Sequence, residues 1–194
     1  MITAAPRIIT TFRANGCFYL VMERIAGRTL QQIIASHERI STRRMLKYCA
    51  NMARIVASIH SAGWAWRDCK PANFLCQKNY KLRALDFEGA CRLHEANPLK
   101  WTTHDYMPPK RGRDMADLEA LDLYALGTSI MQVIARSDSP TKLTVAFQRE
   151  IKKRKLPQRL MEAIRALRSP KAKTRQSARA TQQIFQDLLT SPER

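Results

Sequence analysis

The stretch Trp66-Arg67-Asp68-Cys69-Lys70-Pro71-Ala72-Asn73, followed by Asp86-Phe87-Glu88, decides how this chain is read. It gathers two carboxylates, a lysine and an asparagine around two short apolar runs, Asn73-Phe74-Leu75-Cys76 and Leu82-Arg83-Ala84-Leu85. Those runs read as two small strands flanking a loop, which puts the polar residues at strand ends. Asp and Asn are also ordinary turn residues, because their side chains bond the nearby backbone. The set therefore has a structural and a chemical reading, and the flanking sequence has to separate them.

Upstream, residues 7–24 read as a β-hairpin. Ile8, Ile9 and Phe12 lead into Arg13-Ala14-Asn15-Gly16, and Asn-Gly is a strong tight-turn signal ahead of a return strand from Phe18 to Met22. After Gly27 the pattern turns helical. Ser41 is placed to cap a helix carrying Met45, Cys49, Met52, Val56 and Ile59 as one apolar stripe, and Gly63 to end it. Downstream, residues 92–114 lack periodicity and carry four prolines and glycines, which marks a long irregular segment of the functional or disordered kind. Leu118, Leu121, Leu126, Ile130, Val133 and Ile134 form the broad face of a buried central helix. Pro157 opens another helix, with Leu160, Met161, Ile164 and Leu167 on one side. Ser177 caps a last one, carrying Ile184, Phe185 and Leu188.

The chain has 194 residues, enough for one domain, and 45% of them are apolar, enough for one core. Its longest uninterrupted apolar run, Cys17 to Met22, is far short of a membrane span, and no signal peptide is read at Met1–Arg7. Five cysteines without a C-x-x-C pair exclude a tidy disulfide framework and the common zinc spacings; they point to a reducing, cytoplasmic setting. His37, His60, His94 and His104 lack metal-ligand spacing as well. Charge is the unusual quantity. The net charge is +18, and residues 140–194 alone hold 14 basic and 4 acidic residues. Such a balance favours contact with polyanions such as nucleic acid, acidic membrane surfaces or acidic proteins. The clusters Lys110-Arg111-Gly112-Arg113, Lys152-Lys153-Arg154-Lys155 and Lys171-Ala172-Lys173 are read as solvated surface, with a docking site for acidic substrate or nucleic acid as the other reading. No aromatic residues interleave with them, so base stacking on single strands is not supported.

The quoted stretch resembles the catalytic loop H-R-D-x-K-P-x-N and the metal loop D-F-G of eukaryotic-type Ser/Thr protein kinases. Four further segments resemble that family in order. Leu20-Val21-Met22-Glu23 is similar to the strand leading into the hinge, and Tyr106-Met107-Pro108-Pro109 to the end of the activation segment. Asp122 to Gly127 is similar to the start of the central helix, and Arg175 to the arginine before the last helix. The resemblance implies an α+β, mainly α, protein-kinase-like fold: a helical C-terminal lobe over residues 26–194, preceded by a remnant hairpin and hinge over residues 1–25. It implies ATP and Mg²⁺ as cofactors and a protein hydroxyl as phosphate acceptor. Asp68 would orient that hydroxyl and take its proton, and Lys70 would face the transferred phosphate. Asn73 and Asp86 would supply oxygens to the metal ions. Leu75 would lie under the adenine ring, with the backbone of Glu23 and Ile25 along its hydrogen-bonding edge and Met22 as the bulky residue before the hinge. Thr103 aligns with the family's threonine near the catalytic Asp and Lys, which points to Ser/Thr specificity. Thr102 and Thr103 are read as structural, with phosphorylation beside Arg67 as the other reading.

The departures from the family pattern carry expectations too. The Gly-rich loop, the strand with the ATP-gripping lysine and the glutamate helix have no counterpart in the sequence. The expected consequences are weak ATP binding by the chain alone and uncovered Phe18 or Leu20 side chains, which a partner chain completing the N-terminal lobe would shield. The alternative function is an impaired kinase acting as a basic binding module for an acidic partner. Glu88 stands for the glycine of D-F-G; Asp86-Phe87-Glu88-Gly89-Ala90 resembles the variant of lanthipeptide-synthetase-type bacterial kinase domains. Trp66 stands for the usual histidine and is expected to stack on Phe87. Lys110 stands where the family has a glutamate that pairs with the arginine at Arg175, so Asp105 or Asp114 is the expected substitute.

Overall fold

Asn15 and Gly16 take φ of +50° and +75°, the left-handed pair that a two-residue hairpin turn requires. They join β1 (Ile8–Ala14) to β2 (Cys17–Met22), in antiparallel register from Ala14 opposite Cys17 to Ile8 opposite Met22, with one irregularity between Ile8 and Thr10. This is the hairpin read from the Asn-Gly signal. The computed structural model describes residues 4–36, 38–95, 103–109, 117–137 and 143–190. Phe18 and Leu20 are 61% and 46% exposed, so the hairpin carries the uncovered apolar side chains expected of it.

The chain after the hairpin is tied down by charge. Arg83 donates to the carbonyls of Ala4 and Ala5 and to the Glu23 carboxylate, which also accepts the Arg7 N–H at 2.9 Å. These contacts hold Glu23 below the usual carboxylate range, the Arg7 backbone bond first and the Arg83 guanidinium next. Gly27 then passes so close to the next sheet that a Cβ would sit 2.4 Å from the Cys76 carbonyl oxygen and 3.1 Å from Leu75 Cγ. That approach lets β3 (Arg28–Thr29) pair with β5 (Phe74–Cys76), which pairs in turn with β6 (Leu82–Ala84).

The rest is a helical body. Thr29 caps α1 (Leu30–Ala35) through a reciprocal capping box with Gln32. Ser41 caps α2 (Thr42–Ser61) by accepting the Arg44 N–H at 3.2 Å, as its position foretold, and Gly63 (φ +80°) turns the chain out of it. β4 (Trp64–Ala65) pairs with β7 (Cys91–Arg92), a ladder too short to be legible in the sequence. The body is completed by α3 (Leu118–Ala135), α4 (Leu143–Arg154), α5 (Gln158–Leu167) and α6 (Ala178–Thr190). Ser177 caps α6, its Oγ accepting the Ala180 N–H at 3.2 Å.

Its centre is α3. Every residue of it except Glu119 is buried, and at Gly127 a Cβ would come within 2.9 Å of both Leu167 and Arg168. By length and composition α3 could cross a membrane, but 94% of it is buried inside the protein, as a core helix is. The same core takes in Tyr48, Met52, Ile55 and Ile59 of α2, Leu160 and Leu167 of α5 and Phe185 of α6. The architecture is α+β and mainly α, the fold class that the family resemblance implied.

Candidate active site

The turn after α2 and the short β4–β7 ladder deliver residues 66–73 onto the side of α3, and α3 holds them there. The Asp122 carboxylate, 1% exposed, accepts the backbone N–H groups of Trp66 and Arg67, each at 2.7 Å. His60 Nε2 lies 3.0 Å from the same group. About two turns further along α3, Ser129 Oγ donates to the Cys69 carbonyl at 2.9 Å. Pro71 starts a single 3₁₀ turn, Pro71–Asn73, which closes the loop onto β5. Arg67 sits at φ +67° and Asp86 at φ +60°; non-glycine residues pay for that conformation with strain of about 1–3 kcal/mol each, and such strain gathers at functional sites.

Within the loop, four polar side chains converge. Asp68, 4% exposed, forms an ion pair from Oδ2 to Lys70 Nζ at 2.9 Å. The Asn73 amide donates to that same oxygen at 2.7 Å and to the Asp68 carbonyl at 2.9 Å. The Thr103 hydroxyl donates to Asp68 Oδ1 at 2.8 Å and accepts from Lys70 at 3.4 Å. Thr103 is thus engaged structurally; Thr102 lies outside the described residues, with Lys110 to Arg113 of the basic cluster, His37 and Pro98.

Asp86 is exposed, and its Oδ1 faces the Glu88 N–H at 3.4 Å, a long contact. Trp66 links the two loops. Its ring stacks on Phe87 at 5.7 Å and meets Phe74 edge-on at 5.0 Å, while its Nε1 donates to the Asp86 carbonyl at 2.8 Å. The stacking is as expected from the sequence; the hydrogen bond is an addition to it. Trp66→Phe keeps a ring but loses the bond and leaves a void. It should cost about 2 kcal/mol, or about 4–8 °C in melting temperature for a chain of this size. An unchanged melting curve would mean that Trp66 does not tie the loops together.

The remaining site candidates line the connection from hairpin to body. Met22 ends β2 and is 46% exposed. The Glu23 N–H is committed to the Arg7 carbonyl at 2.9 Å. Among the described residues the Glu23 carbonyl and the Ile25 N–H make no backbone hydrogen bond. Leu75, 7% exposed, lies opposite Thr29 in the sheet and against Gly27.

Two groups in the site are chemically quiet. Burial pushes the Cys69 thiol well up, with the charges of Asp122 and Asp68 adding to it, so it stays a protonated filler. Burial likewise moves the Tyr106 phenol up to about 12, and its hydroxyl donates to Gln132 at 2.8 Å. Arg175 donates to the carbonyls of Ala120 (2.7 Å) and Ser169 (2.9 Å). Asp105 makes no ion pair among the described residues, and Asp114 lies outside them. Asp122, His60 and Arg83 were not singled out from the sequence as site supports. For Asp122 the signal was there: a carboxylate inside the apolar run Leu121-Asp122-Leu123-Tyr124-Ala125-Leu126 has to find donors.

The Asp68-Lys70-Asn73 loop is thus clamped to the central helix and tied through Trp66 to a second loop that begins with Asp86. The family model for the protein kinase domain matches residues 5–192, so the chain belongs to that family. It is 30% identical over 141 residues to the serine/threonine-protein kinase PknB of Mycolicibacterium smegmatis, covering 67% of this chain and 22% of that protein. It is 31% identical over 114 residues to the serine/threonine-protein kinase PknA of Mycobacterium tuberculosis, covering 56% of this chain and 26% of that protein. Over 129 residues it is 26% identical to the human cAMP-dependent protein kinase catalytic subunit PRKX, covering 66% of this chain and 36% of that protein. The chain therefore spans well under half the length of these curated relatives.

Proposed function

We propose that the chain carries the phosphoryl-transfer half of a Ser/Thr protein kinase, moving the γ-phosphate of ATP to a protein hydroxyl. The observation that carries this reading is the occupancy of the Asp68 carboxylate. A carboxylate has about four acceptor sites. Asn73 and Lys70 take both on Oδ2 and Thr103 takes one on Oδ1, which leaves one on Oδ1 for an incoming hydroxyl. In the proposed step the acceptor oxygen bonds to the γ-phosphorus as the bond from that phosphorus to its bridging oxygen breaks. The hydroxyl proton passes to Asp68. Lys70, one-quarter exposed and already beside Asp68, neutralises charge on the transferring group.

Mg²⁺ is implied by the family, and the donor set fits it. Asn73 uses its NH₂ on Asp68, and its amide oxygen accepts no hydrogen bond among the described residues. Asp86 adds an exposed carboxylate, so hard oxygen ligands are what the two loops offer. Bound there, the metal would offset phosphate charge. The Trp66 bond and the left-handed backbone at Asp86 hold that carboxylate's loop in place. Leu75 would support the adenine, with the Glu23 carbonyl and the Ile25 N–H along its edge, and Met22 before them. The names of the relatives, and Thr103 beside Asp68 and Lys70, support a Ser/Thr acceptor.

The test is titration calorimetry of ATP with Mg²⁺ on the purified chain. Saturable binding that Asp86→Ala abolishes is expected. No binding up to millimolar ATP would overturn the reading for this chain and leave the basic binding module.

A further inference from the structure

On the side of the body formed by α3, α4 and α5 lies a cavity of about 360 Å³, none of whose lining belongs to the loops described above. Its walls are apolar: Met131, Phe147, Met161 and Ile164. Set into them are Arg165 and Arg168. Arg168 is the unusual member. Its guanidinium lies over the Tyr124 ring and donates to the Tyr124 hydroxyl at 3.2 Å and to the Met131 sulfur at 2.8 Å. Its Nε is shielded from solvent without a hydrogen-bond partner. Neither arginine pairs with a carboxylate among the described residues. A half-buried cation left with a thioether and a phenol is under-satisfied, because its desolvation is not repaid by an anion.

The nearby acids do not relieve this. Glu150 of α4 is taken by Arg154 at 3.0 Å and Lys153 at 3.8 Å, and Glu162 of α5 accepts from Gln158. Exposed cations follow the lining residues in the sequence: Arg149, Lys152 and Lys153 after Gln148 on α4, and Lys171 and Lys173 after Pro170. One anionic head group would leave most of that charge unanswered; a chain of carboxylates would answer it.

We propose that this cavity docks an acidic peptide segment of a partner protein, with one bulky apolar side chain between Phe147 and Ile164. A neighbouring carboxylate of that segment replaces the Met131 sulfur as partner of Arg168. The pocket has the size and the mostly apolar, sparsely charged lining of a specific ligand site. Docking is independent of phosphoryl transfer, so it is measured without nucleotide, and a catalytically silent chain leaves the test intact.

The test is fluorescence anisotropy on the full chain with a labelled oligoglutamate peptide carrying one central phenylalanine, against its alanine-centred counterpart. The phenylalanine peptide should bind about tenfold tighter or more, the worth of burying one such side chain. Arg168→Gln should weaken both peptides. Thr144→Trp, at an exposed position on the rim, should fill the cavity and erase the phenylalanine preference without touching the core. Equal binding of the two peptides, or a preference that survives Thr144→Trp, overturns the proposal. Displacement of the peptide by decanoate at lower concentration than the peptide itself binds would do so as well, assigning the cavity to a small amphiphile.

Discussion

Replacing Asp68 by asparagine is expected to reduce phosphoryl transfer by about 10²–10⁴-fold, the range that one positioned proton acceptor contributes. The fold should survive the change. The new amide oxygen can face Asn73 and Lys70, as Oδ2 does now. The new NH₂ can then donate to Thr103, whose hydroxyl reverses from donor to acceptor. What is lost is the one remaining acceptor site on Oδ1 and its basicity. The measurement is single-turnover transfer from saturating ATP, with the melting temperature as the control for folding. Because Asp68 is not among the groups assigned to adenine or metal, the ATP affinity should hold while the rate falls. A variant with an undiminished rate would remove Asp68 from the chemistry and leave it as a loop anchor.

The loop and its helix were legible to different depths, and the difference is one of range. Asn15-Gly16, the Ser41 cap and the Asp68-to-Asn73 run each fix their own backbone through neighbours a few positions away, so a linear reading finds them. The hydrogen bond of Trp66 to the Asp86 carbonyl spans 20 positions, and stacking on Phe87 was legible only because the two aromatic residues sit in motifs read together. Asp122 acts across 55 and 56 positions on two backbone amides that no side-chain pattern marks. The same holds for Arg83, which reaches 78 and 79 positions back to carbonyls, groups that every residue carries and no sequence advertises. Arg175 is a further long-range case. It donates to the backbone carbonyl of Ala120, 55 positions away, and burial lowers its pKa against the pull of the Asp117 charge.

This division of labour explains where the largest stability effect should fall. Asp122→Ala takes one carboxylate from a site where nothing else can reach. The N–H groups of Trp66 and Arg67 stay buried beneath α3, and each unsatisfied donor there costs about 1–3 kcal/mol. The nearby His60 ring, whose Nδ1 is already shielded without a hydrogen-bond partner, loses its contact to Asp122 as well. The sum is about 3–5 kcal/mol, as for breaking other buried charged networks. Against a typical total of about 5–15 kcal/mol that is a large fraction, and it should lower the melting temperature by about 10 °C. Asp122→Asn, which keeps one acceptor oxygen, should lose less. The ordering wild type, Asn, Ala is the diagnostic result, since a purely steric role would not separate asparagine from aspartate. Coincident melting of all three would show that the loop is held from elsewhere. If the ordering holds, transfer should fall in the Asn variant at temperatures where it is still folded, because freeing Trp66 and Arg67 frees the turn that aims Asp68.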